Sequence, residues 1–390
     1  MTARPTHHPR RVLFSSVDSN WAGAQTQMLE LAAGLDRKEF SPVLLTTGRG
    51  GLVEHSRAAG IDTHVLPFGF MRRRFPFLGY YLAGPAAIRL LLHRERISLV
   101  HTHCPNSAVP IMNAARGLRL PLAAHIHDLD QRWVTTRTLR VQNTRRARVI
   151  AISEAAARYA IQRGVRPDRV RRIYNGVHLP VLRADARVVA RRALGIADGE
   201  IAVGLVGRLV QRKGAGDLIR ALADPRLADL RIRALLVGGA ENAEVEFVRE
   251  LRSLASDLGL AQRVVFVGSR DDAPELHAGF DIAAVPARRE AFGRVVIEAM
   301  HAGAPVVAYR DGALPELVRD GVEGIIVEPG DLGELARAIE RLATDTDLRS
   351  RLGACGRVRA QGFSHHRFVA DVVALYRELL DEEAQPASRP

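Results

Sequence analysis

The stretch IAAVPARREAFGRVVIEAMHAGAPVVAY, residues 282–309, decides the fold. An apolar run, Ile282 to Pro286, ends in a polar loop; Val295 to His301 then places apolar residues at helical spacing, and Val306 to Tyr309 is a second apolar run. Runs this short and without polar alternation mark strands buried on both faces of a parallel sheet, and strand, helix, strand is the repeating unit of such sheets.

Working outward, the same alternation extends along the chain. Further strands are expected at Ala202 to Arg208, Ala234 to Gly238, Val264 to Gly268 and Ile325 to Glu328. In the first half they are expected at Val12 to Val17, Val43 to Thr47, Thr63 to Pro67, Leu99 to Cys104, Leu122 to His127 and Val149 to Ser153. The series pauses at the polar Arg/Ala/Asp stretch Pro180 to Glu200, which places a domain boundary there. The expected fold class is therefore α/β, with two Rossmann-like doubly wound domains, residues 1–185 and 186–365. Ligands of such sheets bind beyond the carboxyl ends of the strands, so the residues that follow each strand should carry function.

Composition bounds the class. Of 390 residues, 47% are apolar and 25% charged, which excludes disorder and supports two large cores. Cys104 and Cys355 are far apart and show no metal-ligand spacing, so neither a disulfide framework nor a zinc site is expected. The run Phe75 to Leu92 is interrupted by Gly79, Gly84, Pro85 and Arg89, and falls short of the ~20 residues of a membrane span. A cytoplasmic location is expected. Residues 1–190 hold 29 Lys+Arg against 12 Asp+Glu, a net +17, which leaves 27 against 31, a net −4, for residues 191–390. A genome rich in arginine codons would raise both halves alike, so the asymmetry points to an anionic partner of the first half, a membrane surface or an acidic acceptor.

Two runs in the second half carry chemistry. GRLVQRKG, residues 207–214, follows a strand and opens a helix, setting cations beside a helix N-terminus, where a diphosphate is well held. Lys213 is one of two lysines in an arginine-rich chain, and a compact ammonium can follow the growing charge of a leaving phosphate. A solvated turn would leave the same pattern. In the second run, Glu290 ends a strand loop, Phe292 and Gly293 present backbone amides at a helix start, and Glu298 falls among Val296, Ile297 and Met300. A carboxylate in apolar company calls for a partner, and the hydroxyls of a ribose or hexose would serve; a structural glutamate capping a nearby loop is the alternative.

The second half resembles the donor domain of the retaining glycosyltransferases of family four, which have the GT-B fold. The resemblance rests on GRLVQRKG, LLVGGA, VVFVGS, AAVPARREAFGRVVIEAMHAGAPVVA and GALPELVRDGVEGIIVEPGD, in that order. Ala287 stands where relatives usually have serine. The resemblance implies that Arg208 and Lys213 contact the donor diphosphate, Glu290 the sugar hydroxyls and Glu298 the ribose. Gly207, Gly238, Phe292, Gly293, Arg294 and Glu316 would line the same donor site. It further implies a nucleoside diphosphate hexose as donor, a glycan or lipid-linked hydroxyl as acceptor, retention of configuration, and two domains that close on each other across a cleft. The last helix, about 366–382, resembles the segment that returns to the first domain. No metal cofactor is expected, because Arg208, Lys213 and helix N-termini can neutralise the departing diphosphate. With both glutamates committed to the donor, hydrolysis should be poor. An epimerase of the same fold and a non-catalytic sugar-binding or membrane-scaffold protein are the rival classes.

The first half gives weaker signals. Trp21-Ala22-Gly23-Ala24-Gln25 is a small-residue turn opening a helix, with only Gly23 where the family usually has two adjacent glycines. His127 matches the family's crevice histidine, and the resemblance implies a catalytic place for it close to the donor sugar, although spacing alone would equally allow a satisfied strand-end residue. His101 and His103 alternate onto one face at a strand end, and a metal site shared with His125 and His127 is not expected, since no further ligand set is apparent. Asp128-Leu129-Asp130 mimics the manganese-binding aspartates of the other large transferase fold, and its place in a first domain makes it a decoy. The stretch around Arg72, Arg73, Arg74, Phe75 and Tyr80 mixes rings with cations and reads as a patch for anionic lipid or for the acceptor. No nucleic-acid recognition module surrounds it.

Overall fold

A computed structural model describes residues 8–16, 23–66, 84–103, 105–115, 118–129, 146–239 and 244–384. The arginine and aromatic patch at 67–83, Trp21 and Ala22 therefore lie outside the described residues. The chain divides into two compact units: one comprises the chain to Gly176 and again from His366, the other Val177–His365.

The first unit is built on a seven-stranded sheet: β1 (Arg10–Ser16), β2 (Phe40–Thr46), β3 (Asp62–Val65), β4 (Ile97–Thr102), β5 (Leu122–Ile126), β6 (Ala147–Ala151) and β7 (Val170–Arg172). Its order is β3-β2-β1-β4-β5-β6-β7, all parallel. Strand β7 was not expected, because Val-Arg-Arg is an edge strand with exposed arginines and lacks the apolar run that marks the others. The second unit holds β8 (Ile201–Val206), β9 (Ile232–Val237), β10 (Val264–Gly268), β11 (Ile282–Val285), β12 (Val306–Tyr309) and β13 (Gly324–Val327), in the parallel order β10-β9-β8-β11-β12-β13. Every residue of β11 and β12 is buried, as their unbroken apolar runs require.

The first unit's core is completed from the far end of the chain. Along the helix His365–Ala384, Phe368, Val372, Leu375, Tyr376, Leu379 and Leu380 pack against Val12, Phe14, Met28, Leu31 and Phe40. In the second unit the first and last residues are fastened together: Val177 N donates to Phe363 O (2.9 Å) and His365 N to Val177 O (3.1 Å). His301 Nε2 lies 2.7 Å from Pro180 O. These bonds tie 177–180 to the second unit, so the expected boundary at 185/186 moves to 176/177. No helix among the described residues is long and apolar enough to cross a membrane.

Candidate functional site

In the six-stranded sheet the order runs outward in opposite directions from β8 and β11, which makes this pair the switch point, and ligands of such sheets bind beyond the carboxyl ends of the strands there. The two segments singled out in the sequence, 207–214 and 286–293, are the ones that leave these strands. They are joined: Arg288 N donates to Arg212 O at 2.7 Å, and Gly214, at φ +77°, sits against the Pro286 carbonyl. Gly207 N donates to Val237 O (2.9 Å), and Gly238 lies directly against Gly207, so the turn after β9 abuts the same place.

Across the joined loops, Lys213 Nζ donates to Glu290 Oε2 at 2.5 Å, with Arg212 at 4.0 Å from the same oxygen. The side chains of Lys213 and Glu290 are 17% and 11% exposed, enough shielding that loss of either would leave a poorly solvated charge. Arg208 is exposed on the first of these loops. The loop after β12 closes on Glu290 as well. Ala313 N donates to Glu290 O at 2.8 Å, and Gly312, at φ +57°, would carry a Cβ only 2.1 Å from that oxygen, so no larger residue fits without moving the loop. Glu316 lies on the short helix Leu314–Leu317 that follows, half-buried. Arg289 holds φ +54°, left-handed for a residue with a Cβ, which stores on the order of 1–3 kcal/mol of strain beside Glu290.

Gly293, at φ +97°, starts the helix Arg294–Ala302, whose N-terminus carries the positive end of the peptide dipoles. Phe292 is buried and its ring meets Phe363 edge-on with centroids 6.3 Å apart. Glu298, one turn into the helix, lies 3.8 Å from Arg294 Nε and 3.8 Å from His277 Nε2. Burial works to raise its carboxyl, but His277 and Arg294 outweigh it and hold the group below its ordinary value. His277 escaped the sequence reading, because a buried histidine on the turn before β11 has no motif spacing to Glu298. Asp217 escaped it too. Its carboxylate accepts from Arg288 (2.6 Å) and from the Tyr309 hydroxyl (2.8 Å), tying the loop after β11 and the end of β12 to the helix Ala215–Leu222. Burial, and then Asp217, push the Tyr309 phenol well up.

In the first unit the corresponding switch point lies between β1 and β4. Gly23 opens the helix Gly23–Gly34 that follows β1. His127, just past β5, places Nε2 2.9 Å from His103 Nδ1, and burial lowers it to about 4. His101 Nε2 lies 3.2 Å from His125 Nδ1, and its Nδ1 is 2.5 Å from the Tyr376 hydroxyl. Burial and then the neighbouring His127 lower His101 to about 3. His103 and His125 are also held well below the ordinary histidine value, first by burial and then by the surrounding rings. Thus the fold brings into one cluster the two strand-end histidine pairs that the sequence placed at 101/103 and 125/127. Asp128 is exposed, and Asp130 lies outside the described residues.

Comparison with known proteins converges with this geometry. Residues 187–359 match the family model for glycosyl transferases group 1, and residues 21–180 that for glycosyltransferase family 4. The chain is 35% identical to a D-inositol 3-phosphate glycosyltransferase of Salinispora arenicola over 88% of this chain and 75% of the relative. It is 30% identical to the protein of that name from Stackebrandtia nassauensis over 80% and 70%. Among solved structures it is similar to Anabaena HepE in complex with UDP, with a TM-score of 0.83 and 28% identity over 95% of this chain and 100% of that one. HepE in complex with UDP-glucose gives 0.79 and 29% over 94% and 99%. Two Rossmann-like units, with loops from a switch point meeting at Glu290, define the class as a glycosyltransferase enzyme of the GT-B fold. The chain belongs to the glycosyl transferases group 1 family.

Proposed function

We propose that the second unit binds a nucleoside diphosphate hexose and that the enzyme transfers the sugar, with retention, to an acceptor hydroxyl received by the first unit. The observation that carries this reading is the Lys213–Glu290 contact at the switch point, beside the helix start at Gly293. In the proposed complex the diphosphate takes over the charge of Lys213, assisted by Arg208 and the helix N-terminus. Glu290 is then released to accept bonds from sugar hydroxyls, while Glu298, kept ionised by Arg294 and His277, accepts from the ribose diol. This arrangement neutralises the leaving group with protein charges and needs no metal for that purpose. The UDP and UDP-glucose complexes of HepE make uridine diphosphate sugars the first donors to try.

A double-mutant cycle tests the assignment. Lys213→Ala and Glu290→Ala should each lower kcat by roughly 100-fold or more when assayed well below their melting midpoints, and the double variant should lose much less than the product of the two. Losses that multiply would mean the two side chains do not serve one ligand. Product formation only in the presence of an acceptor separates transfer from epimerisation. We place the acceptor in glycolipid or cell-envelope glycan synthesis, on the support of the first half's net charge of +17. Replacing Arg72, Arg73 and Arg74 by glutamine should then weaken sedimentation with anionic vesicles, most at low salt. Unchanged sedimentation would remove the membrane part of the reading.

A further inference from the structure

We propose that the histidine cluster at the carboxyl ends of β4 and β5 binds one divalent transition ion of the zinc type, through His101, His103 and His125. Each of these rings offers a nitrogen, and the three nitrogens lie within 4.8 Å of one another. Two imidazole ligands of one tetrahedral zinc, each ~2.0–2.1 Å from it, stand about 3.4 Å apart, so closure asks for ring adjustments on the order of an ångström.

The strand geometry explains the convergence. Residues two apart share a face, so His101 and His103 stack with ring centroids 4.6 Å apart, and parallel pairing brings His125 alongside, 5.3 Å from His101 and 5.0 Å from His103. All three are buried, at 0%, 5% and 0% exposure.

Two further observations point to a ligand. The Nε2 atoms of His103 and His125 are enclosed and meet no hydrogen-bond partner among the described residues. A ring nitrogen sealed from water without a partner is costly, and a cation would satisfy such a lone pair. On two rings the opposite nitrogen is already held: His103 Nδ1 lies 2.9 Å from His127 Nε2, and His101 Nδ1 lies 2.5 Å from the Tyr376 hydroxyl, so that His101 would exchange its 3.2 Å contact from Nε2 to His125 Nδ1 for the ion. Metal-bound imidazoles are oriented in this way, by a hydrogen bond on the nitrogen that does not ligate. His127 is thus a positioning residue, and the 2.5 Å contact of His101 Nδ1 with the Tyr376 hydroxyl links the cluster to the C-terminal helix.

The donor set fixes the class of ion. Three neutral imidazoles without a carboxylate select zinc, cobalt, nickel or copper over magnesium, calcium or manganese. An ion here would staple β4, β5 and, through Tyr376, the helix His365–Ala384. This inference stands on the first unit alone and is independent of the sugar donor.

The test uses the untagged full chain, stripped by chelation and then titrated with Co²⁺ or Zn²⁺. The expected result is one equivalent bound, with visible cobalt absorption of a tetrahedral nitrogen site and a raised melting midpoint. His103→Gln and His125→Gln should each abolish that absorption, whereas His93→Gln, on an exposed helix surface, should keep it. Absence of stoichiometric binding, or full absorption in the folded His103→Gln and His125→Gln variants, overturns the proposal. Should those variants fail to fold, X-ray absorption of the zinc-loaded wild-type chain decides: three imidazole ligands uphold the site, and fewer refute it.

Discussion

Glu290 and Glu298 stand eight residues apart on one loop and helix, in different electrostatic company. Glu290 faces an ammonium directly, whereas Glu298 is balanced between the burial that opposes its charge and the Arg294 and His277 side chains that favour it. Because those side chains outweigh burial, its folded pKa lies below the ordinary 4.5. A carboxyl so depressed contributes stability that is present above pH 4.5 and is lost as pH falls through the lowered value. Wild type should therefore exceed Glu298→Gln in urea midpoint at pH 7, and the gap should narrow at pH 3. A gap that stays constant between the two pH values would show that the charge of Glu298 does not support the fold. Glu290, Lys213 and Glu298 were legible in the sequence because rare lysine, a strand-end glutamate and a carboxylate in apolar company are local signals. His277, Asp217 and the left-handed Arg289 were not, since their meaning depends on partners or backbone angles that only the folded sheet brings about.

At the scale of elements, the site helix Arg294–Ala302 is held in place by its neighbour Thr346–Ala360. The approach is close because the neighbour presents glycines: a Cβ on Gly353 would lie 2.1 Å from Gly303 O, and one on Gly356 would lie 3.3 Å from the Met300 side chain. Gly353→Val should force the two helices apart and destabilise the second unit by about 1–3 kcal/mol. Donor affinity should fall with it, since Gly293 and Glu298 ride on the displaced helix. Gly362→Ala, where an added Cβ meets nothing within 4 Å, is the control and should leave the urea midpoint unchanged. Equal midpoints for both variants would show that the contact tolerates slack. The strands themselves were readable because a doubly buried strand must be an unbroken apolar run, and β11 and β12 are such runs. Strand β7 was not, because an edge strand needs no apolar residues on its exposed face, and its arginines resemble a loop.

For the whole molecule, the chain's path matters as much as its local pattern. The first unit is interrupted at Gly176 and resumes at His366, so its core depends on a helix that follows the whole of the second unit in sequence. Resemblance alone pointed to that return in the sequence, since an amphipathic helix does not announce which sheet it covers. Phe368, Val372, Leu375, Tyr376, Leu379 and Leu380 are each no more than 8% exposed there. At roughly 1.5–3 kcal/mol for each buried side chain, removing them costs about as much as the 5–15 kcal/mol that typically separates a folded domain from its unfolded state. A chain ending at His365 should therefore lose slow hydrogen exchange throughout β1, β2 and β4. Its second unit keeps the whole of its own core, and the bonds of Val177 to Phe363 and His365 are retained within it. Peptides from β8, β11 and β12 should stay protected, and nucleotide should still raise their melting midpoint. Protection that persists in β1 and β2 would show that the sheet of the first unit stands without its C-terminal helix; simultaneous loss in both units would show that they unfold as one.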